Sequence, residues 1–533
     1  MENKFKQALE KGEFVVTCEM IPGRGAHEEA QIHEFEEAKA IYDLGRVHAV
    51  SITDNPSGNP ALLADVVGSE FKEQGIVPLV HFTCKDRSRN QMQSQLYALE
   101  RHGVQNILFM TGDYQNTGFN GLPRPVFDFD PIHALQLAHA MNEGLEVKGL
   151  RATTQEKPTH FFGGAVVNPF KYTEGEAIPQ YLKLERKILS GAHFIISQIG
   201  YDAKKMQELI LYTKDRGYTT PLIANIFLAS KGSAKLMKAG TIAGCSITDS
   251  FIEALEAESL APDKGKAARY ERAAKQIALA KGLGYAGVHI GGMNITAKIV
   301  SDILDRAEEL YGCWQSLIAD FNYGEKDGYY LYKPEGQSPN APLALNSYEL
   351  ASCTEIETHR KVFKRYRLSR FFHHWVLTQN KRGYKILEKV MDWRERKKGL
   401  HRSHVLEHMG KTVLYGCLDC GDCGLEPCIY SCPMTACPKC QRNGPCGGSK
   451  DGWCEVYIGE RYCIHYMAYH RLKKYNELYK MATYITPPNN WEFFETSGWS
   501  NYTHLRDNTS RRIPVELGFE EMGMREPNKR GSK

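Results

Sequence analysis

The stretch FVVTCEMIP, residues 14–22, is apolar almost throughout yet carries one carboxylate, Glu19, near its end. A continuous apolar run with β-branched residues is the pattern of a strand buried on both faces; a strand with one wet face alternates. The run recurs. AVSITDN (49–55), VPLVHFTC (77–84), QNILFMTGD (105–113), HFFGGAVVNP (160–169), FIISQIGY (194–201), PLIANIFL (221–228) and GVHIGGM (287–293) bring the number to eight. Segments between them, such as SRNQMQSQLYALERHG, space their apolar residues as helices do. Eight β/α units predict an α/β fold of the TIM (β/α)8 barrel type. A doubly wound sheet is the competing arrangement, but no G-x-G-x-x-G follows the first run, so the phosphate loop of a dinucleotide-binding fold is missing.

The polar residues fall where a barrel carries its chemistry. Glu19, Thr53, His81, Asp113, Asn168 and Gln198 all stand at or near the C-terminal end of an expected strand. Glu19, between Cys18 and Met20, is an expected buried carboxylate. Unpaired, it would have a raised pKa suited to a general acid; a salt bridge is the structural alternative. Asp113 could instead cap the next helix, and His81 could be a hydrogen-bonded core histidine. Gln198, inside FIISQIGY, is hardest to explain by packing, and its amide offers the donor and acceptor that a pterin edge needs.

Length allows two or three full cores, and the balance of 67 basic against 63 acidic residues, net +4, argues for neither nucleic acid nor an acidic polymer as an obligatory partner. The N-terminus lacks a signal-peptide core and no stretch reaches the ~18–20 apolar residues of a spanning helix, so the expectation is a cytoplasmic protein without a membrane span. Locally, residues 360–402 hold fifteen Lys or Arg against three Asp or Glu, a basic helical stretch open to an acidic partner or simply solvated. The expected division is a barrel over 1–310, a Gly/Pro/Asn-rich linker over 311–345, a cysteine-rich, mainly helical module over 346–495 and a polar surface tail over 496–533.

Ten of the fifteen cysteines fall between Cys417 and Cys463. In a reducing compartment such a cluster points to metal rather than disulfides. Cys417-x2-Cys420-x2-Cys423 with Cys432-Pro433 is similar to the run of bacterial ferredoxins, with a longer last gap. Cys437, Cys440, Cys446, Cys454 and Cys463 could supply a second four-thiol set, and Cys428 completes the ten. Two [4Fe–4S] clusters are expected, with zinc as alternative or addition, since C-x2-C pairs serve both.

CEMIP, VSITD, VHFTC, LFMTGD, LERKILSGAHFIISQ and SITDSFIEAL, in this order, resemble the methylenetetrahydrofolate reductases, flavoprotein barrels that reduce 5,10-methylenetetrahydrofolate to 5-methyltetrahydrofolate. The resemblance spans most of residues 10–300, and the spacing of Lys187, Ala192 and Gln198 is its most diagnostic part. It implies that Glu19 protonates folate N5, that Asp113 lies beside flavin and pterin, and that Gln198 anchors the pterin. It implies that Thr53 and His81 contact the isoalloxazine, Lys187 the cofactor's phosphate portion, and that Asn168 joins the cofactor-binding set. MIPG stands where the family carries paired phenylalanines and two prolines, and VVNPFKY where it has a tyrosine- and histidine-containing loop, so FMN and FAD both stay open.

CPKCQRNGPCGG with GWCEV resembles the C-terminal module found with these reductases in acetogens and other anaerobes. That resemblance implies clusters feeding the flavin from a ferredoxin-like or NAD(P)H-oxidising donor. Two other readings stand beside it: a folate-binding barrel passing methyl groups to a corrinoid protein, and a zinc-stabilised structural or electron-carrying subunit of a larger complex. A homo-oligomer is compatible with each.

Overall fold

Strands Val15–Met20 (β1), Ala49–Ile52 (β2), Pro78–Thr83 (β3), Asn106–Met110 (β4), Phe162–Val167 (β5), Phe194–Ser197 (β6), Leu222–Phe227 (β7) and Gly287–Gly291 (β8) close into a parallel barrel. Closure is made by β1, which pairs with β2 on one side and β8 on the other, setting Thr17 against His289 and Glu19 against Ser51. This is the predicted (β/α)8 fold. The computed structural model describes residues 3–149, 151–336, 341, 343–345, 365–399, 401 and 404–517.

The strands are nearly all buried along their length, which is why they read as unbroken apolar runs. One barrel end is filled by the short helix Lys4–Glu10, whose Phe5 is fully buried and meets Phe194 and Phe162 edge-on at 5.1 and 6.1 Å. Val15, Ala49, Val77 and Phe194 complete that apolar plug at the strand starts. The chemistry is thereby left to the other end.

The chain separates into two compact units, residues 1–127 with 131–346, and residues 128–130 with 347–533. In the first unit, the segment after the helix Ala297–Tyr311, expected as a linker, is bonded onto the barrel. Tyr330 Oη donates to Asp202 at 2.7 Å, Tyr332 Oη to Asp215 at 2.6 Å, and the Leu331 N–H to the buried Glu208. Tyrosines that reach buried carboxylates explain why a Gly- and Pro-rich stretch is nonetheless fixed. Residues 337–340 and 342 of the expected linker lie outside the described residues.

The second unit carries the cysteines on irregular backbone among helices Tyr366–Phe372, Arg382–Lys398, Val405–Tyr415 and Ile464–Lys474. The start of the expected surface tail is interior instead. Ser497, Ser500, Asn501 and Asn508 are fully buried. Ser497 Oγ and the Trp499 N–H donate to Glu407 at 2.6 and 3.0 Å, while the Asn508 N–H and Arg511 donate to Asp422 at 2.7 and 2.9 Å. These small polar side chains satisfy buried carboxylates, so polarity here marks an internal network and not a wet surface. Residues 518–533 of the expected tail, and 360–364, 400 and 402–403 in or beside the basic stretch, lie outside the described residues. Among the described ones no helix is long and apolar enough to cross a membrane.

Candidate active site

Glu19 closes β1 with its carboxylate 3.6 Å from Nε2 of His289, on β8. His81, on β3, completes a group in which the ligand atoms of Glu19, His81 and His289 all lie within 4.8 Å of one another. Each imidazole is held from behind: His81 Nε2 lies 2.6 Å from Ser51 Oγ, and His289 Nδ1 lies 2.9 Å from Thr17 Oγ1. Room beside the carboxylate is kept by Gly291, where an added Cβ would stand 3.3 Å from Glu19 Oε1.

Burial would push the Glu19 carboxyl up, but the contact with His289 outweighs it and holds the group below its ordinary range. Of the two readings open for Glu19, a raised pKa if unpaired and a paired carboxylate, the structure has the paired one: barrel closure supplies His289 as a partner. His81 goes the other way. Burial pushes its imidazole down to about 4, against the pull of Glu19. It is neutral near neutral pH.

Thr53 follows β2 directly, and its hydroxyl is buried with no hydrogen-bond partner among the described residues. Beyond it the chain turns through left-handed backbone at Asn55, Ser57 and Gly58, with φ of 49°, 54° and 72°. Asp113, after β4, fixes that turn by accepting the Ser57 N–H at 2.8 Å. Below the turn, Asp54 pairs with Arg87 at 2.5 Å and accepts from Thr83 Oγ1 at 2.7 Å.

Gln198 follows β6; its Oε1 accepts the Ile199 N–H at 2.8 Å, while its Nε2 has no partner among the described residues. Cys245 Sγ lies 4.0 Å from the same Oε1, and burial, then the charge of Asp113, pushes this thiol up to about 12. Asn168 and Lys187 serve backbone. Asn168 Nδ2 donates to the Gly244 carbonyl at 2.7 Å, and Lys187 Nζ, buried on the helix Glu174–Leu189, donates to the Val166 carbonyl. Asn225 on β7 adds a buried Oδ1 without a partner among the described residues.

The structure therefore gathers Glu19 and His81 directly and places Thr53, Asp113 and Gln198 on loops at the same barrel end. Sequence reading missed His289, Ser51, Asn225 and Cys245. His289 had a signal, as a polar residue inside the apolar GVHIGGM run; the others had none.

Residues 4–308 match the family model described as methylenetetrahydrofolate reductase. The chain belongs to the methylenetetrahydrofolate reductase family. A second model, described as the C-terminal part of methylene-tetrahydrofolate reductase, matches residues 400–492. A solved structure described as an uncharacterized protein from Clostridium thermocellum that binds two copies of 5-methyl-5,6,7,8-tetrahydrofolic acid is similar over 58% of this chain and 99% of its own, at 15% identity and a TM-score of 0.40. Members of the methylenetetrahydrofolate reductase family are oxidoreductases, generally flavin-dependent. The barrel fits such a guest: Thr53 Oγ1, Asn225 Oδ1 and Gln198 Nε2 are polar atoms left without partners at the functional end, where a heterocycle edge would supply them.

In the second unit, none of the described cysteines is in a disulfide. Two groupings emerge from which thiols feel one another's charge. Burial first, then neighbouring thiols, raise Cys417, Cys420 and Cys423, with Cys432 the fourth member of that neighbourhood. The Asp419 N–H points at Cys417 Sγ at 3.4 Å, and Lys411 Nζ lies 3.7 Å from Cys423 Sγ. Cys437, Cys446, Cys454 and Cys463 line one small cavity of about 20 Å³, with Lys439 and Glu455. Cys428 and Cys440 flank Cys432 near Arg442, and burial pushes them up to about 12 and about 11. A metal bound here would have to displace those protons, since the thiolate is the ligand form.

Proposed function

We propose that this chain interconverts 5,10-methylenetetrahydrofolate and 5-methyltetrahydrofolate with a bound flavin, FMN or FAD. The observation that carries the reading is Glu19 at the functional barrel end, paired with His289 and accompanied by the Thr53 hydroxyl, buried without a partner among the described residues, and by the Gln198 side chain. Glu19 exchanges the proton that the folate gains as its five-membered ring opens, and Gln198 holds the pterin edge. Thr53 and His81 face the flavin ring. Asp113 keeps the 55–58 turn in place, and Asn168 and Lys187 hold the loop and strand end that complete the cradle. Bound flavin supplies hydride chemistry; the residues supply orientation, exclusion of water and one placed acid.

The two thiol sets support iron–sulfur clusters of the four-cysteine kind, with zinc in one set as the other chemistry their donors allow. Electrons then enter from a ferredoxin-like protein, from NAD(P)H, or from both. Exposed Lys385, Lys389, Arg396 and Lys397 on the helix Arg382–Lys398 favour an acidic protein donor.

Iron, acid-labile sulfide, zinc and flavin per chain, measured after purification without oxygen, test this. About eight iron and eight sulfide with one flavin is the expected result. Zinc without iron would leave the flavin reaction standing and remove the electron path; absence of flavin would remove the reaction itself.

A further inference from the structure

We infer that two buried ion pairs tune the two thiol sets in opposite senses, Lys411 making the first a better electron acceptor and Glu455 making the second a poorer one. This deepens the reading that both sets hold iron–sulfur clusters and rests on it. In the first set Lys411 Nζ lies 3.7 Å from Cys423 Sγ, and Glu407 is the partner of that ammonium. In the second the order is reversed: Glu455 Oε1 lies 3.6 Å from Cys446 Sγ, and Lys439 is the partner of that carboxylate.

The ends that face the sulfurs are fixed by packing. None of the four side chains is more than 12% exposed, so water screens their charges little. Glu407 is held by Ser497 Oγ at 2.6 Å and by the Trp499 N–H at 3.0 Å, and the Trp499 ring centre lies 5.6 Å from Lys411 Nζ. At Gly498 an added Cβ would stand 3.0 Å from Lys411 Nζ and 3.4 Å from Cys423 Cβ. At Gly448 an added Cβ would run into Glu455 Oε2. The two glycines leave each charge only the room it fills.

Charge decides the direction. The potential of a four-cysteine cluster follows the net charge and the hydrogen bonds around its sulfurs, and reduction adds one electron to it. A lysine ammonium, cationic near neutral pH, stabilises that added charge, and a carboxylate opposes it. Beyond burial, Cys423 feels Lys411 more than Glu407, and Cys446 feels Glu455 more than Lys439, so neither partner cancels the nearer charge. Arg442, 3.7 Å from Asp422, adds a further cation near Cys420. Backbone N–H groups meet sulfur in both sets, Asp419 at Cys417 and Gln441 at Cys437, at 3.4 and 3.5 Å. They favour the reduced state of each set and leave the opposed sense of the ion pairs unchanged. Both pairs bias a shared electron toward the first set.

The test is a reductive potentiometric titration of the full chain, purified without oxygen, followed by electron paramagnetic resonance and run on Lys411→Met and Glu455→Gln beside the wild type. Two one-electron waves are expected in the wild type. Lys411→Met is expected to make one wave about tenfold harder to reduce, or roughly 59 mV lower. Glu455→Gln is expected to make the other wave about tenfold easier to reduce and to leave the first in place. Because Lys411→Met strands a buried Glu407, the double variant Lys411→Met/Glu407→Gln accompanies it, with a shift of about threefold expected in the same direction. Waves that stay within about twofold of the wild type in folded variants, shifts of the opposite sign, or one wave moving in both variants overturn the inference. Fewer than two iron–sulfur waves in the wild type sink the two-cluster reading, and this inference falls with it.

Discussion

Asp54 and Arg87 meet at 2.5 Å with side chains 1% and 7% exposed, joining the loop after β2 to the segment after β3 beneath the 55–58 turn. Arg87 also donates to the Thr83 carbonyl at 2.7 Å and to Gln95 at 2.7 Å, and Asp54 accepts the Thr83 N–H at 3.0 Å, so Nε and Nη1 of Arg87 and Oδ2 of Asp54 are all engaged. Replacing Arg87 with Met leaves Asp54 buried and uncompensated, at a cost of roughly 3–5 kcal/mol. Calorimetry on Arg87→Met should show that loss, and the double variant Arg87→Met/Asp54→Asn should recover a large part of it. Equal instability of single and double variants would mean that the pair's charge is not what matters.

His81 makes the barrel acid-sensitive. Its pKa falls from 6.5 to about 4 on folding, chiefly by burial, so the unfolded chain binds the extra proton between those values. The stabilisation is fully present above pH 6.5 and is lost as pH falls toward 4. Between pH 7 and pH 5 the loss is about 2 kcal/mol. Denaturation curves for His81→Gln should be correspondingly flatter over that range than those of the wild type.

The turn after Thr53 couples backbone strain to function. Gly58 sits at φ 72°, and an added Cβ would fall 1.9 Å from the Tyr114 carbonyl oxygen. Gly58→Ala must displace the segment that carries Asp113. Folate KM is expected to rise at least tenfold with global stability lowered by only about 1–3 kcal/mol. An unchanged KM would detach this turn from the site.

Separate metal sets predict separable losses. Cys432→Ser is expected to remove about half of the bound metal, and Cys463→Ser the other half, each leaving flavin in place. Metal analysis with electron paramagnetic resonance on both variants reads this directly. Loss of all metal in either would show the sets to be one interdependent site.

The barrel was legible because its strands are buried on both faces and its polar residues interrupt apolar runs at their ends, as Glu19, His81 and Gln198 do. What could not be read depends on closure. Thr17 and His289 are 272 residues apart in the chain and become neighbours only when β1 meets β8, so although His289 stands out in its own run, nothing there ties it to Glu19. Lys187 and Asn168 had suggestive positions, but the carbonyls of Val166 and Gly244 that take their donors are named by no motif. Residues 496–512 misled for a related reason: Ser497, Asn501 and Asn508 are polar, and nothing in their order reveals that Glu407 and Asp422 wait for them in the interior.

The most direct measurement is anaerobic mixing of the full chain, with its flavin oxidised, with excess 5-methyltetrahydrofolate while the flavin absorbance is followed. Bleaching of one flavin per chain, reversed by 5,10-methylenetetrahydrofolate and slowed at least 100-fold in Glu19→Gln, is the predicted result. A bound flavin that methyltetrahydrofolate leaves oxidised, in protein shown to bind that folate, would contradict the account.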